Sequence, residues 1–388
     1  MGGPVKITNV EAIALAAPFE KFFGGLDKVP AHILRPAANQ VTHPRLGQAS
    51  TIVRIETDEG IVGIGEALGL PTPEITATIV AGHFKRLLLG QDPRDTAVIW
   101  ESLQGSLRTH RLGFVPNAIA AIDLALWDVK GKALGLPISR VLGGAFRDRI
   151  PVYASPVPFM ATAEDSAREA GVFVARGFRA IKLKIGRGLA SDLAHVEAVR
   201  AAIGPEVELL LDVNCGYDVP TAITFAREVL PYRPYWLEEP VEPSNVEGLA
   251  EIRRRADLRI ATGENEQSVF GVRDLLLANA TDVLMPNIGK AGGLTECLRI
   301  AELARAFHVQ IAPHGVGAGI AIAAALQFCA AIPNLLKYEY NQLLNPLREA
   351  VVKERLELRD GSLMVPTGPG LGVTLDEDAI EEYVVARM

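Results

Sequence analysis

Apolar and polar residues alternate with period two over 5–18 (VKITNVEAIALAAP) and again over 51–66 (TIVRIETDEGIVGIGE), where Asp58-Glu59-Gly60 interrupts the run with a turn signal. The pattern predicts paired strands. Between them, 19–50 is rich in Gly, Pro, Asn and Gln and has little periodicity, and a loop of that length is expected to act as a lid or binding loop. From 73 to 135 the spacing turns helical and ends on Gly135-Leu136-Pro137, a stop signal. The first third therefore reads as a small α+β unit.

After Pro151 the rhythm changes. Short apolar runs recur at 151–155, 180–186, 208–214, 235–240, 258–264, 282–287, 309–314 and 336–340, with amphipathic helical stretches such as 191–203, 243–256 and 294–307 between them. Eight strand–helix units at a near-constant period, joined by right-handed crossovers, predict an α/β fold built on a (β/α)8 barrel, and no switch point favours an open sheet. The expected division is a capping domain over 1–130, completed by 356–388 returning to it, and a barrel over 131–355.

Composition narrows the function classes. The 388 residues are 49% hydrophobic and 22% charged, which excludes a disordered chain. A net charge of −7 without a basic run argues against a nucleic-acid partner. Cys215, Cys297 and Cys329 are odd in number and far apart, so a reducing, cytoplasmic setting is expected. The opening residues lack the charge and apolar core of a secretion signal. The uncharged stretch 315–336 is long enough to cross a bilayer, but its Gly and Ala content and Gln327 read as a buried helix, so no membrane partner is expected.

Barrel enzymes build their sites at the carboxyl ends of the strands. Here those ends carry Lys182 and Lys184, Asp212 and Asn214, Glu238 and Glu239, Glu264, Asn287, His314 and Glu339. Strand parity makes Lys182 and Lys184 point the same way, as do Asp212 and Asn214, and allows only one of Glu238 and Glu239 to face the lumen. Salt bridges at a barrel rim would account for any single acid. Three acids on consecutive strands are a different matter, because two carboxylates about 4 Å apart repel by roughly 4 kcal/mol at an effective dielectric near 20. A hard divalent cation resolves the repulsion, and all-oxygen ligands favour Mg²⁺ over zinc. A lysine beside another cation suits a general base, so Lys184 is the candidate to take a proton α to a carboxylate while a metal holds the enediolate. His314, across the barrel, is the second acid/base candidate.

The motifs AIKLKIG, LLLDVNCGY, YWLEEP, TGENE, MPNIGKAGG and APHGVG, with AIDLALWDVKGKALGLP upstream, resemble the enolase superfamily and its mandelate racemase-like subgroup over nearly the whole chain. The resemblance implies a modified barrel with an N-terminal cap and Mg²⁺ on Asp212, Glu238 and Glu264. It implies Lys184 as base with Lys182 as its electrostatic partner, His314 on the opposite face, and Glu339 and Asn214 near the substrate. It further implies a homo-oligomer, a dimer-based octamer, and a specificity loop over 19–50 in which Phe22, Phe23 and His43 are candidates. One position departs from the pattern: Asn287 stands where the subgroup carries an Asp that charges the histidine. An Asn cannot stabilise the imidazolium by charge, so His314 is expected as an acid or a polar contact rather than a second base.

Two further motifs point elsewhere only on the surface. Gly315, Gly317 and Gly319 follow a strand in the manner of a dinucleotide loop, but Ile320 holds the third glycine position and the acid that follows is Glu339 in a strand, so the glycines are expected to let a helix start near a ligand, its N–H groups aimed at an anion. Asp212-Val-Asn214 opens like a calcium loop that Tyr217 and Ile223 break. The expected reaction on a small carboxylate substrate is dehydration of a sugar acid. Lactone isomerisation follows, since the tail is similar to that of galactarolactone cycloisomerases, then racemisation or dehydration of a small hydroxy or imino acid. A non-catalytic sugar-acid binder is the alternative from another class.

Overall fold

A computed structural model describes residues 5–109 and 112–388. The first alternating segments form β1 (Ile7–Pro18), β2 (Gly47–Thr57) and β3 (Val62–Leu68), paired antiparallel in that order, with Gly60 at φ 76° in the β2–β3 turn. Helices from Pro73 to Leu88, Thr96 to Ser106 and Phe114 to Leu134 cover one face, around a core that includes Val53, Ile55, Phe84, Ile119 and Ile122. The last helix stops at Gly135, φ 67°, a left-handed cap.

The barrel strands are β4 (Arg149–Val157), β5 (Ala180–Lys184), β6 (Glu208–Asp212), β7 (Pro234–Glu238), β8 (Arg259–Thr262), β9 (Val283–Leu284), β10 (Gln310–Ile311) and β11 (Tyr338–Asn341). Each pairs in parallel with the next from β4 to β10, and β11 pairs in parallel with β4. A parallel bridge between Ile311 and Leu335, with Leu336 N donating to Ile311 O at 2.8 Å, joins β10 to the approach of β11. The eighth unit differs from the others, since only the one-turn helix Leu347–Ala350 follows β11.

The tail divides. The hairpin of β12 (Leu358–Arg359) and β13 (Ser362–Met364) pairs antiparallel with the first residues of β4, on the barrel, and only β14 (Val384–Arg387) joins β1 of the cap. The expected return of 356–388 to the cap is thus shared with the barrel, because the exposed edge at Arg149–Pro151 offers backbone partners. The helix Gly319–Ala331 is buried along almost its whole length, and among the described residues no helix is long and apolar enough to cross a membrane.

Candidate active site

Period two stacks the site on the core. Tyr153, Ala180, Leu210 and Trp236 fill the barrel interior with Ala261, Val283, Met285 and Ala312. Tyr153 and Trp236 meet edge to face at 5.4 Å, an arrangement that contributes about 1 kcal/mol beyond burial. Two residues further along the same strands stand Ser155, Lys182, Asp212 and Glu238. The intervening residues Ile181, Leu183, Leu209, Leu211 and Leu237 pack outward in the larger core. One alternation therefore produces a greasy floor and a charged layer above it.

Lys182 is fully buried, and its Nζ lies 2.6 Å from Glu238 Oε1, 2.8 Å from Glu339 Oε1 and 3.0 Å from Asp212 Oδ2. Burial alone would lower its pKa, but Asp212, Glu238 and Glu339 raise it well above the ordinary lysine value, so it remains an ammonium. Lys184 is 12% exposed and reaches Asp212 Oδ2 at 2.6 Å and Asn214 Oδ1 at 2.5 Å. Asp212 also accepts from Asn214 N at 3.0 Å. Burial would raise its pKa, yet Lys182 and Lys184 hold it below the usual carboxylate range. Glu238, by contrast, is pushed well up by burial and by Asp212 beside it. Glu238 turns inward to Lys182, while Glu239, at φ 39°, turns to Asn265 Nδ2 and to Cys215.

On the far strands, His314 Nε2 lies 3.3 Å from Glu264 Oε2 and 3.7 Å from Glu339 Oε2, and its Nδ1 lies 2.8 Å from Asn287 Nδ2. Glu339 accepts from Gly315 N at 2.9 Å and from the Ser155 hydroxyl. Against the effect of burial, the Lys182 ammonium above all, helped by the Ser155 hydroxyl, brings its pKa down to about 2. Gly315 has no space for a side chain, since a Cβ there would lie 1.8 Å from Glu339 O.

Four carboxylates, Asp212, Glu238, Glu264 and Glu339, face two ammonium groups, Lys182 and Lys184, leaving two negative charges in excess when all are ionised. Among the described residues, Asp212, Glu238 and Glu264 are not drawn around one point. Lys182 takes the first two and Glu264 leans on His314, so side-chain cations supply the counter-charge that the sequence assigned to a metal. The donor set nonetheless fits a small divalent cation. Its oxygens are all carboxylate, its charge excess is two, and Glu264 Oε2 is buried without a hydrogen-bond partner.

A cavity of about 150 Å³ opens over this layer, lined from the barrel by Ser155, Lys184, Asn214, Glu264, Lys290, His314 and Glu339 and from the cap by Asn39, Gln40 and Arg45. The cap loop holds its place because Phe159 N donates to Pro36 O at 2.9 Å and Gln48 Nε2 to Leu344 O at 2.7 Å. Loop 19–50 is broken into single helical turns around a small core of Phe19, Val29 and Leu34, against which Phe23 packs. The expected specificity residues lie elsewhere. Phe22 is 44% exposed and outside the cavity, and His43 is exposed, bonded to Thr42, and lines an outer groove that shares Gln40 and Arg45 with the cavity. They stood out by residue type, whereas the loop's fold brings Asn39, Gln40 and Arg45 to the cavity. Arg45 had one signal, as the lone charge between Arg35 and Arg54. The anion expected at the start of helix Gly319–Ala331 is the protein's own: Glu66 of β3 accepts from Ala318 N and Ala321 N at 2.5 and 2.8 Å.

Residues 164–379 match the family described as Enolase C-terminal domain-like, and residues 29–143 match the Mandelate racemase / muconate lactonizing enzyme N-terminal domain. The chain is 39% identical to a D-galactarolactone cycloisomerase of Agrobacterium fabrum, over 87% of this chain and 91% of the relative. It is 36% identical to a D-galactonate dehydratase of Ralstonia nicotianae, over 88% and 93%. The crystal structure of the 3,6-anhydro-D-galactonate cycloisomerase from Zobellia galactanivorans superposes with a TM-score of 0.86 at 33% identity, covering 98% of this chain and all of that one.

Proposed function

The chain belongs to the mandelate racemase / muconate lactonizing enzyme family of the enolase superfamily, and from that premise we propose that it removes the proton α to the carboxylate of a sugar acid and expels the β substituent as water. The observation that carries the reading is one cavity wall bearing Lys184, tied to Asp212 and Asn214, opposite a wall bearing His314 and Glu264. Family relatives that include a sugar-acid dehydratase and two cycloisomerases support it.

Asp212, Glu238 and Glu264 would hold Mg²⁺, which when bound supplies positive charge to carboxylate oxygens that gain electrons as the α-proton leaves. Lys184, as the free amine, takes that proton. Lys182 keeps a permanent positive charge beneath the site, since three carboxylates hold its proton in place. His314 presents Nε2 to the cavity and gives a proton to the departing β-hydroxyl, so that water leaves and the enol rearranges to a 3-deoxy-2-keto acid. Glu339 and Asn214 orient the reacting carboxylate and the amine.

A second reading, opening of a sugar-acid lactone, is favoured by Asn287. Beside an Asn, His314 lacks the charged partner that would stabilise its protonated form, and a leaving carboxylate needs no proton. The test is a panel of sugar acids and their lactones with Mg²⁺, scored for 2-keto acid. A keto acid from any of them supports the reading, and the identity of the best substrate separates water loss from lactone opening. No product from a broad panel contradicts both.

A further inference from the structure

Arg45 lines the roof of the cavity, yet among the described residues its guanidinium has no ion pair and no hydrogen bond. Its neighbours in the lining are better served: Lys184 holds Asp212, and Lys290 holds Asn265 Oδ1 at 2.7 Å. The Arg45 Nε is sealed from solvent without a partner. Burial lowers its pKa to about 10, which still leaves it cationic at neutral pH. Arg45 N donates to Leu34 O at 2.8 Å, and the loop that carries it is pinned to the barrel on both sides, at Pro36 and at Gln48. The backbone that carries the charge is therefore held in place. On the floor below it lie Lys184, Glu264, His314 and Glu339.

A half-buried cation whose Nε is sealed and whose guanidinium has nothing to pair with is an unfavourable feature unless a ligand completes it. A sugar monoacid whose carboxylate lies at the floor ends in a hydroxymethyl group, which leaves the guanidinium unpaired. A sugar diacid ends in a second carboxyl group, whose two oxygens match the planar donors of an arginine. Asn39 and Gln40 line the same cavity and offer side-chain amides for the neighbouring hydroxyls.

We infer that Arg45 binds the distal carboxyl group of the substrate, and that the enzyme acts on a sugar diacid, free or as its monolactone, in preference to a monoacid. The inference rests on the proposed function and adds the substrate class. In a monolactone the distal group is the ester. As Lys184 takes the α-proton, the bond from the β-carbon to the ring oxygen breaks, its electron pair stays on that oxygen, and a carboxylate forms within reach of a cation.

The test compares matched acids, galactarate with galactonate and glucarate with gluconate, on the Mg²⁺-loaded wild type and on Arg45→Gln and Arg45→Lys. For at least one pair the wild type is expected to favour the diacid by about a hundredfold in kcat/KM, the scale at which a site penalises a missing polar partner. Arg45→Gln should bring that ratio near one, chiefly through a higher KM for the diacid. Arg45→Lys should keep part of the preference and shows that the loop still folds. Equal use of both members of each pair by the wild type, or an equal loss on both in Arg45→Gln, overturns the inference while leaving the elimination reading intact. If no acid is turned over, the elimination reading fails, and calorimetric binding of the same acids decides the inference. Tighter binding of the diacid that is lost in Arg45→Gln supports it. Equal binding, or none, overturns it.

Discussion

Asn287 turns its amide nitrogen to His314: Nδ2 lies 2.8 Å from the imidazole Nδ1, while Asn287 Oδ1 accepts from Gly289 N at 2.9 Å. The backbone donor fixes which end of the amide meets the ring. Nδ1 is then an acceptor, and the neutral imidazole carries its proton on Nε2, the atom facing Glu264 and Glu339. A second proton at Nδ1 would oppose N–H to N–H. The pairing makes His314 a donor toward the cavity and a poor base.

Replacing Asn287 with Asp reverses that bias. One carboxylate oxygen keeps the Gly289 bond and the other accepts from Nδ1–H, stabilising the imidazolium and freeing Nε2 to take protons. Asn287→Asp is expected to add solvent deuterium exchange on the face opposite Lys184, producing the α-epimer, while elimination slows by about tenfold. Mass spectrometry and NMR of recovered substrate read the outcome. Exchange confined to one face in both proteins contradicts the assignment.

Excess negative charge in the floor predicts a metal-dependent melting temperature. A dication bound at a hundred times its dissociation constant stabilises the fold by about 2.7 kcal/mol. Mg²⁺ should therefore raise the melting temperature, a chelator should reverse the rise, and Glu264→Gln should weaken it. A transition unmoved by Mg²⁺ contradicts the ligand set.

Asp123, in the cap helix, gives a pH dependence with a definite sign. Burial lifts its pKa to about 7, although Thr295 of the barrel donates to it from Oγ1 at 2.6 Å and from N at 2.9 Å. Unfolded, the same carboxyl titrates near 3.9. Between those values the folded state binds the extra proton, so this group's contribution to stability falls as pH rises from about 4 to 7 and is flat above. Thermal melts of wild type and Asp123→Asn across that range should converge toward neutral pH or cross. A constant difference contradicts the assignment.

The unpaired Arg45 predicts a stability gain on its removal. Arg45→Met keeps the aliphatic stem and removes an unpaired, half-buried charge, so the ligand-free protein should melt higher, by about 1 kcal/mol in stability. Calorimetric melting without substrate measures it, and a lower melting temperature would show that the guanidinium has a structural partner.

Much of this was legible in the sequence, for local reasons. Alternation along AIKLKIG and LLLDVNC places Lys182, Lys184 and Asp212 whatever the rest of the chain does, and regular spacing located even β9 and β10, which form only two ladder pairs with each other. What depends on distant backbone was not legible. Ser362–Met364 reads as a strand, but nothing local says that it pairs with β4 rather than the cap. Glu66 looks like a surface acid in an alternating strand until the fold places it on the helix at Ala318. The same holds for the cap loop, where conformation chose Arg45 over Phe22 and His43. At the loop's crossing, Ala38 lies against Gly186 and Gly216, where an added Cβ would come within 3.0 Å of its own.

The central claim is that Lys184 takes the α-proton, and solvent exchange at the α-carbon tests it most directly. In D₂O with Mg²⁺ and the best acid of the panel, the wild type should give deuterated substrate or keto acid. Lys184→Ala should give neither while still binding the acid, a loss of at least about a thousandfold. Exchange by Lys184→Ala at the wild-type rate would contradict the account.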